Sequence, residues 1–328
     1  MKALLKIIKL FPPELAHSIA LNSLKVLYKL KLVNIFLPKF KDENFEFLGM
    51  AFANRLGTAA GLDKNGDFID CVGAIGFGFI EVGTITPKPQ KGNSKPRVFR
   101  VFEEEAIINR LGFNNKGVDY LVKRLKKRTF QGIVGVNIGA NKSSEGQKRI
   151  DDYIECFNKV QNYADYITVN ISSPNTPGLR DLHNSSNLKI LIESINEAIE
   201  SSRYKKPIFL KVSPDENNES INQIIELINH SSFTGLIVSN TSIDKKLLKN
   251  NKYHKYEGGL SGKPIMNKSA QLLSFIHKKD PSMPLIGVGG VMNKKDFQNK
   301  INSGAQLVQL YTGFVLKGPM IVSEILKD

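Results

Sequence analysis

The chain has 328 residues, 41% hydrophobic and 23% charged, a balance that excludes a disordered chain and an array of membrane spans. Forty-six Lys and Arg against 31 Asp and Glu give a net charge of +15, which favours anionic partners such as nucleic acid, phosphorylated ligands or an acidic membrane surface. The two cysteines, Cys71 and Cys156, lie far apart and outside any CxxC spacing, so neither a disulfide framework nor a zinc site is expected.

Residues 1–41 carry eight lysines against one acidic residue, Glu14. Apolar residues recur there at helical spacing: Leu4, Ile7, Ile8 and Phe11, then Leu15, Ile19, Leu24 and Leu27. Pro12 and Pro13 split this pattern into a short and a longer helix. No apolar run approaches the ~20 residues needed to cross a bilayer. Two basic amphipathic helices fit a segment lying on an anionic membrane surface, or equally a hairpin packed on the rest of the chain.

From about Asn44 the rhythm becomes strand, loop, helix. Strands are predicted at 55–60, 79–84, 133–138, 166–171, 208–212, 236–239, 285–288 and 307–311, with helical patterns such as 151–162 and 187–201 between them. Eight such units predict an α/β fold, a closed (β/α)8 barrel with a small N-terminal helical extension; an open doubly wound sheet is the alternative. The organisation read is therefore 1–41 as the helical segment and 42–328 as the barrel.

Each strand ends in a polar or glycine-rich turn. After the first come Gly61, Asp63 and Lys64; then Thr84, Asn137, Asn170 with Ser173, Lys211, Ser239 with Asn240 and Thr241, Gly289 with Gly290, and Tyr311 with Thr312. In a barrel these converge on one face, the face that carries active sites. Turn composition alone would account for a single such segment but not for all eight. Pro174 and Pro177 stiffen the rim around Asn170, Ser172, Ser173 and Asn175.

The set lacks paired carboxylates, His/Cys clusters and HExxH, so no metal site is expected. His17 and His183 read as surface or satisfied residues. Asn, Ser, Thr, Lys and Gly grip an amide-rich ring and a phosphate, and leave the hard chemistry to a cofactor. Phosphate is expected at GVGG (287–290) and TGF (312–314), and GGLSG (258–262) is read as a further flexible loop. Lys64 and Lys211 could set positive charge beside a flavin ring.

AAGLDKNG at 59–66, EVGTITPKPQKGN at 81–93, INRLGFNN at 108–115, VNIG at 136–139, NISSPNTPGLR at 170–180, GGLSG and IGVGGV at 286–291 together strongly resemble the dihydroorotate dehydrogenase family. The similarity runs in register from about Ala51 to the end. It implies an FMN-binding barrel, one FMN per chain, that oxidises dihydroorotate to orotate in pyrimidine biosynthesis. Ser173 stands where the soluble class carries cysteine, and with the basic extension this resembles the membrane-associated class that passes electrons to ubiquinone or menaquinone.

By the same resemblance Ser173 takes the C5 proton of dihydroorotate while the C6 hydride goes to N5 of FMN. Lys64, Asn109, Arg110, Leu111, Gly112, Phe113, Asn170, Asn175, Asn240 and Thr241 would hold substrate. Ala60, Gly61, Leu62, Asp63, Lys64, Thr84, Asn137, Asn170, Lys211, Ser239, Gly262, Gly290, Tyr311 and Thr312 would hold FMN; Ser239 keeps the hydroxyl where the family pattern has threonine. His17, Arg100 and Tyr311 are candidates for the quinone path. The implied protein is a monomer on the cytoplasmic face of a bacterial inner membrane, binding no nucleic acid. Two rivals remain: a tRNA dihydrouridine synthase, which would need a cysteine acid and a C-terminal helical domain, and a silent binder of nucleic acid or anionic lipid, which would hold no flavin.

Overall fold

The computed structural model describes residues 10–36, 43–175, 185–202 and 204–327. A hairpin of Phe45–Phe47 (β1) and Met50–Phe52 (β2) leads into Leu56–Thr58 (β3) and Phe79–Ile85 (β4). Val98–Val101 (β5) and Ala106–Asn109 (β6) come next, then Ile133–Ile138 (β7), Tyr166–Asn170 (β8), Ile208–Val212 (β9) and Gly235–Val238 (β10). Gly259–Gly262 (β11), Leu285–Val288 (β12) and Leu307–Leu310 (β13) complete the set.

Eight of these, β3, β4, β7, β8, β9, β10, β12 and β13, pair in parallel and close, with β13 bonded back to β3. They are the eight strands expected, within two residues at each end. Runs such as Ile208–Val212 are buried along their whole length, as parallel strands covered on both faces must be. Helices including Gly146–Val160, Ser185–Ser202 and Asn218–Asn229 cover the outside.

The lower barrel is filled by aromatic rings. Phe52 from the hairpin meets Phe79 edge-on at 5.7 Å, and Tyr166 meets Phe209 at 5.7 Å. Gly57 and Gly135 make room for them: a Cβ on either would come within 2.5 Å of the Phe79 ring or 2.0 Å of the Tyr166 ring. Replacing such a ring by alanine costs about 3–5 kcal/mol. The plug closes one end, so the open end is the one where the strand C-termini gather.

The sequence reading missed a three-stranded antiparallel sheet beside that open end, in the order β11, β6, β5. It also corrects the reading of GGLSG: Gly259–Gly262 is a buried strand paired residue by residue with Ala106–Asn109, not a free loop. Glycine there reflects close approach, since a Cβ on Gly259 would lie 1.9 Å from Thr241 Oγ1.

The longer N-terminal helix is Pro13–Lys29 (α1), which opens with proline at its first position. Leu21 is buried in the core that the barrel shares with its helices, with Leu24, Leu27 and Tyr28 packed against it. Leu10, Phe11, Leu15, Val26 and Leu30 are exposed instead. Both packing on the barrel and an uncovered apolar side are therefore present. The short first helix expected before Pro12, the rim residue Pro177, His183 and the boundary at 41–42 lie wholly or mainly outside the described residues.

Candidate active site

The strand C-termini surround one cavity of about 980 Å³, counting its open mouth. Its lining comes from every barrel strand but β7, whose Asn137 lies just beneath, and from the added sheet through Asn109, Ser261 and Gly262.

Asn170 ends β8 and is 4% exposed. Its Nδ2 donates to Asn137 Oδ1 at 3.2 Å and Thr84 Oγ1 at 3.1 Å, while its Oδ1 accepts from Asn240 Nδ2 at 3.3 Å. Asn175 Nδ2 donates to Asn109 Oδ1 at 3.3 Å, tying the rim to β6. The segment 109–113 is held from behind, because Asn93 Nδ2 donates to the Arg110 carbonyl and Gln90 Nε2 to those of Gly112 and Phe113. Ser173 is 5% exposed, faces the cavity, and its Oγ accepts from the Asn175 N–H at 3.3 Å.

Two lysines bring positive charge to this space. Burial pulls the Lys64 ammonium down to about 8, against the opposing pull of Glu14 on α1, and its Nζ donates to the Gly61 carbonyl at 3.0 Å. Burial also lowers Lys211, opposed by Glu81. Among the described residues the Lys211 ammonium has no hydrogen-bond partner, and Gln309 Oε1 is buried without one. A cation and an acceptor are thus left for a ligand.

The chain matches the family model for dihydroorotate dehydrogenase over residues 44–328. The chain belongs to the dihydroorotate dehydrogenase family. It is 44% identical over 316 residues to a protein of Saccharophagus degradans named dihydroorotate dehydrogenase (quinone), covering 95% of this chain and 93% of that one. A namesake from Aeromonas salmonicida is 44% identical over 320 residues, covering 96% and 95%. Among solved structures, that of the Eimeria tenella dihydroorotate dehydrogenase in complex with ferulenol superposes with a TM-score of 0.84 at 32% identity, covering 96% of this chain and 89% of that one.

Within this family member most of the expected residues meet. Lys64, Asn109, Leu111, Gly112, Phe113, Asn170, Ser173, Asn175, Asn240 and Thr241 line the cavity, as do Ala60, Gly61, Thr84, Lys211, Ser239, Gly262, Gly290, Tyr311 and Thr312. Three do not. Leu62 is packed into the core, and Asp63 turns away to accept from the N–H groups of Asn65, Asp67 and Phe68, with burial raising its pKa to about 6. Arg110 points outward to the Pro96 carbonyl and Glu257. Asn137 acts from below the lining through Thr84 and Asn170.

The residues present fit FMN. Gly289, Gly290, Val291, Thr312 and Gly313 share one wall, and Gly290, at φ +82°, approaches so closely that a Cβ would lie 2.5 Å from Met266. Lys211 and Gln309 offer the unmet cation and acceptor.

Of the quinone candidates, Tyr311 lies against Gly61, burial raises its phenol to about 12, and the charge of Glu14 adds to that rise. His17 hydrogen-bonds the Leu62 backbone, and burial with the nearby Lys64 charge lowers it to about 4. Arg100 on β5 donates to the Phe11 carbonyl at 2.5 Å. All three therefore border the seam between α1 and the barrel.

Sequence reasoning missed Gln309 in the lining, Glu81, Tyr166 and Thr168 beneath it, and the Glu14 to Arg97 ion pair that ties α1 to the barrel at 2.7 Å. A glutamate inside the apolar run FIEVGTI was the available signal for the group beneath. The ion pair spans 83 residues and left none.

Proposed function

We propose that the chain oxidises (S)-dihydroorotate to orotate, with FMN as hydride acceptor and a membrane quinone as final electron acceptor, in pyrimidine biosynthesis. The observation that carries this is the convergence of Ser173, Lys64 and four asparagines, Asn109, Asn170, Asn175 and Asn240, on one cavity. Together they match a ring of alternating carbonyl and N–H groups bearing a carboxylate.

The reaction removes a proton from C5 and a hydride from C6, turning the single bond between them into a double bond. Ser173 Oγ takes the C5 proton as its own hydroxyl proton passes to solvent, and Lys64 holds the substrate carboxylate. Bound FMN supplies the two-electron acceptor for the hydride. Lys211 would set a cation beside its ring system, and Thr84 and Asn170 would hold the ring's edge. The glycine turns after β12 and β13 take its phosphate.

Residues 1–41 form a membrane-association segment, and 42–328 the catalytic barrel. Ubiquinone or menaquinone reaches the flavin along the seam lined by His17, Arg100 and Tyr311. The protein works as a monomer, peripheral on the cytoplasmic face of a bacterial inner membrane. Supporting the membrane association are the exposed Leu10, Phe11, Leu15 and Val26 and the eight lysines in the sequence of residues 1–41.

The test is anaerobic absorbance of the purified protein. A flavin spectrum that bleaches with dihydroorotate and returns with a soluble quinone, but not with NAD or fumarate, is expected. A colourless protein that cannot be reconstituted with FMN overturns the proposal.

A further inference from the structure

Beneath the cavity stands a carboxylate that the reaction above leaves unused. Glu81 is the third residue of β4 and is fully buried inside the barrel. Its Oε2 accepts from Gln309 Nε2 at 2.7 Å, Tyr166 OH at 3.0 Å and Thr168 Oγ1 at 3.1 Å, and its Oε1 accepts from Asn137 Nδ2 at 2.8 Å. Three other strands, β7, β8 and β13, send these donors to one group.

A carboxylate receiving four donors only accepts, so Asn137 must turn its NH2 toward Glu81 and its Oδ1 toward the cavity. There Oδ1 accepts from Thr84 Oγ1 at 2.6 Å and from Asn170 Nδ2 at 3.2 Å. Asn170 Nδ2 is thereby committed to this side, and its Oδ1 faces the opposite way, where it meets Asn240 Nδ2 at 3.3 Å. Asn240 Oδ1 in turn accepts from the Thr241 N–H at 2.8 Å. Asn170, Asn240 and Thr241 all line the cavity. Glu81 thus sets the direction of the Asn137 amide, whose Oδ1 then receives Thr84 and Asn170, while backbone N–H groups of Ser172 and Thr241 hold the far sides of Asn170 and Asn240.

We propose that Glu81 is a positioning residue: its carboxylate fixes the orientation of the Asn137 amide, and through it the placement of the Thr84 hydroxyl and the Asn170 amide that line the cavity where the pyrimidinedione ring is held. The inference rests on the reading of this cavity as the orotate site. A glutamine of the same shape carries donors as well as an acceptor, so it fills the space without dictating the direction.

The experiment titrates orotate into the FMN-loaded protein and follows the perturbation of the flavin spectrum, for the wild type, Glu81→Gln and Tyr166→Phe. Thermal unfolding is recorded for each. Glu81→Gln is expected to raise the orotate Kd about tenfold, or ~1.4 kcal/mol. Tyr166→Phe, which removes one donor but keeps the carboxylate and three partners, is expected to stay within twofold while losing thermal stability. Unchanged binding in Glu81→Gln, or an equal loss in both variants, overturns the positioning role. If Glu81→Gln does not accumulate as a folded flavoprotein, Asn137→Ala severs the same chain one link higher. A tenfold loss there supports the inference, and wild-type affinity overturns it. A wild-type flavin spectrum that orotate leaves unmoved overturns the site reading itself.

Discussion

Around the cavity, polar side chains are committed to one another: Asn137, Thr84, Asn170 and Asn240 form a continuous chain anchored on Glu81, and Asn175 ties the rim to Asn109. The N-terminal helix is held differently. Its attachment is an apolar stripe through Leu21, the Glu14 to Arg97 pair, and bonds from Lys25 to the Asp67 carbonyl and from Arg100 to the Phe11 carbonyl. The first arrangement sets the direction of each side chain by its hydrogen bonds. The second holds a helix in place while leaving its outer side uncovered. The difference suits the division proposed above, between a site that orients a ring and a surface that receives a quinone.

The comparison can be broken or sharpened in order of effect. Ser173→Ala should slow flavin reduction by dihydroorotate at least a hundredfold in stopped-flow absorbance, with FMN still bound, because a positioned base is worth about 10²–10⁴. Near-normal single-turnover reduction would remove Ser173 from its role. Deleting residues 1–40 should abolish turnover with a long-chain quinone while leaving flavin reduction within about twofold. Loss of Leu21 from the shared core should also lower the Tm by several degrees. If quinone kinetics survive the truncation, the two regions are not divided by function.

Two further predictions probe the contact between the regions. Lys64 titrates near 8, charged below that and neutral above it, so orotate affinity should hold at pH 7 and fall as the pH rises through 8. Glu14 opposes the depression of Lys64. Glu14→Gln should therefore move that break to lower pH, and cost only about 1 kcal/mol of stability because the pair is partly open to solvent. A pH profile identical to the wild type's would show the helix to be electrically silent toward the pocket. The smallest effect concerns Cys71, whose thiol burial raises to about 12: alkylation at pH 8 should be negligible in the folded protein and complete once it is unfolded.

Much of the pocket was legible because its signals are local. A parallel strand is a short apolar run, its C-terminal turn follows at once, and side chains such as Lys211, Ser239 and Tyr311 sit within a residue or two of where the run ends. Closure of the barrel then brings them together by geometry common to the fold. Arg110 and Asp63 show the limit. They share those motifs, yet the backbone turns their side chains to Glu257 and to the N–H groups of the following loop.

By itself, then, the sequence determined eight strand and helix units, the face on which their polar ends gather, and the family to which Ser173 and its neighbours belong. Only the tertiary structure decided that Gly259–Gly262 is a strand, that Arg97 holds Glu14, and that Glu81 anchors the asparagine chain. Each of these depends on partners from distant parts of the chain, up to 228 residues away for Glu81 and Gln309. A strand partner, an ion pair or a buried acceptor has no local periodicity, because the hydrogen bonds that define it form only after the chain has closed on itself.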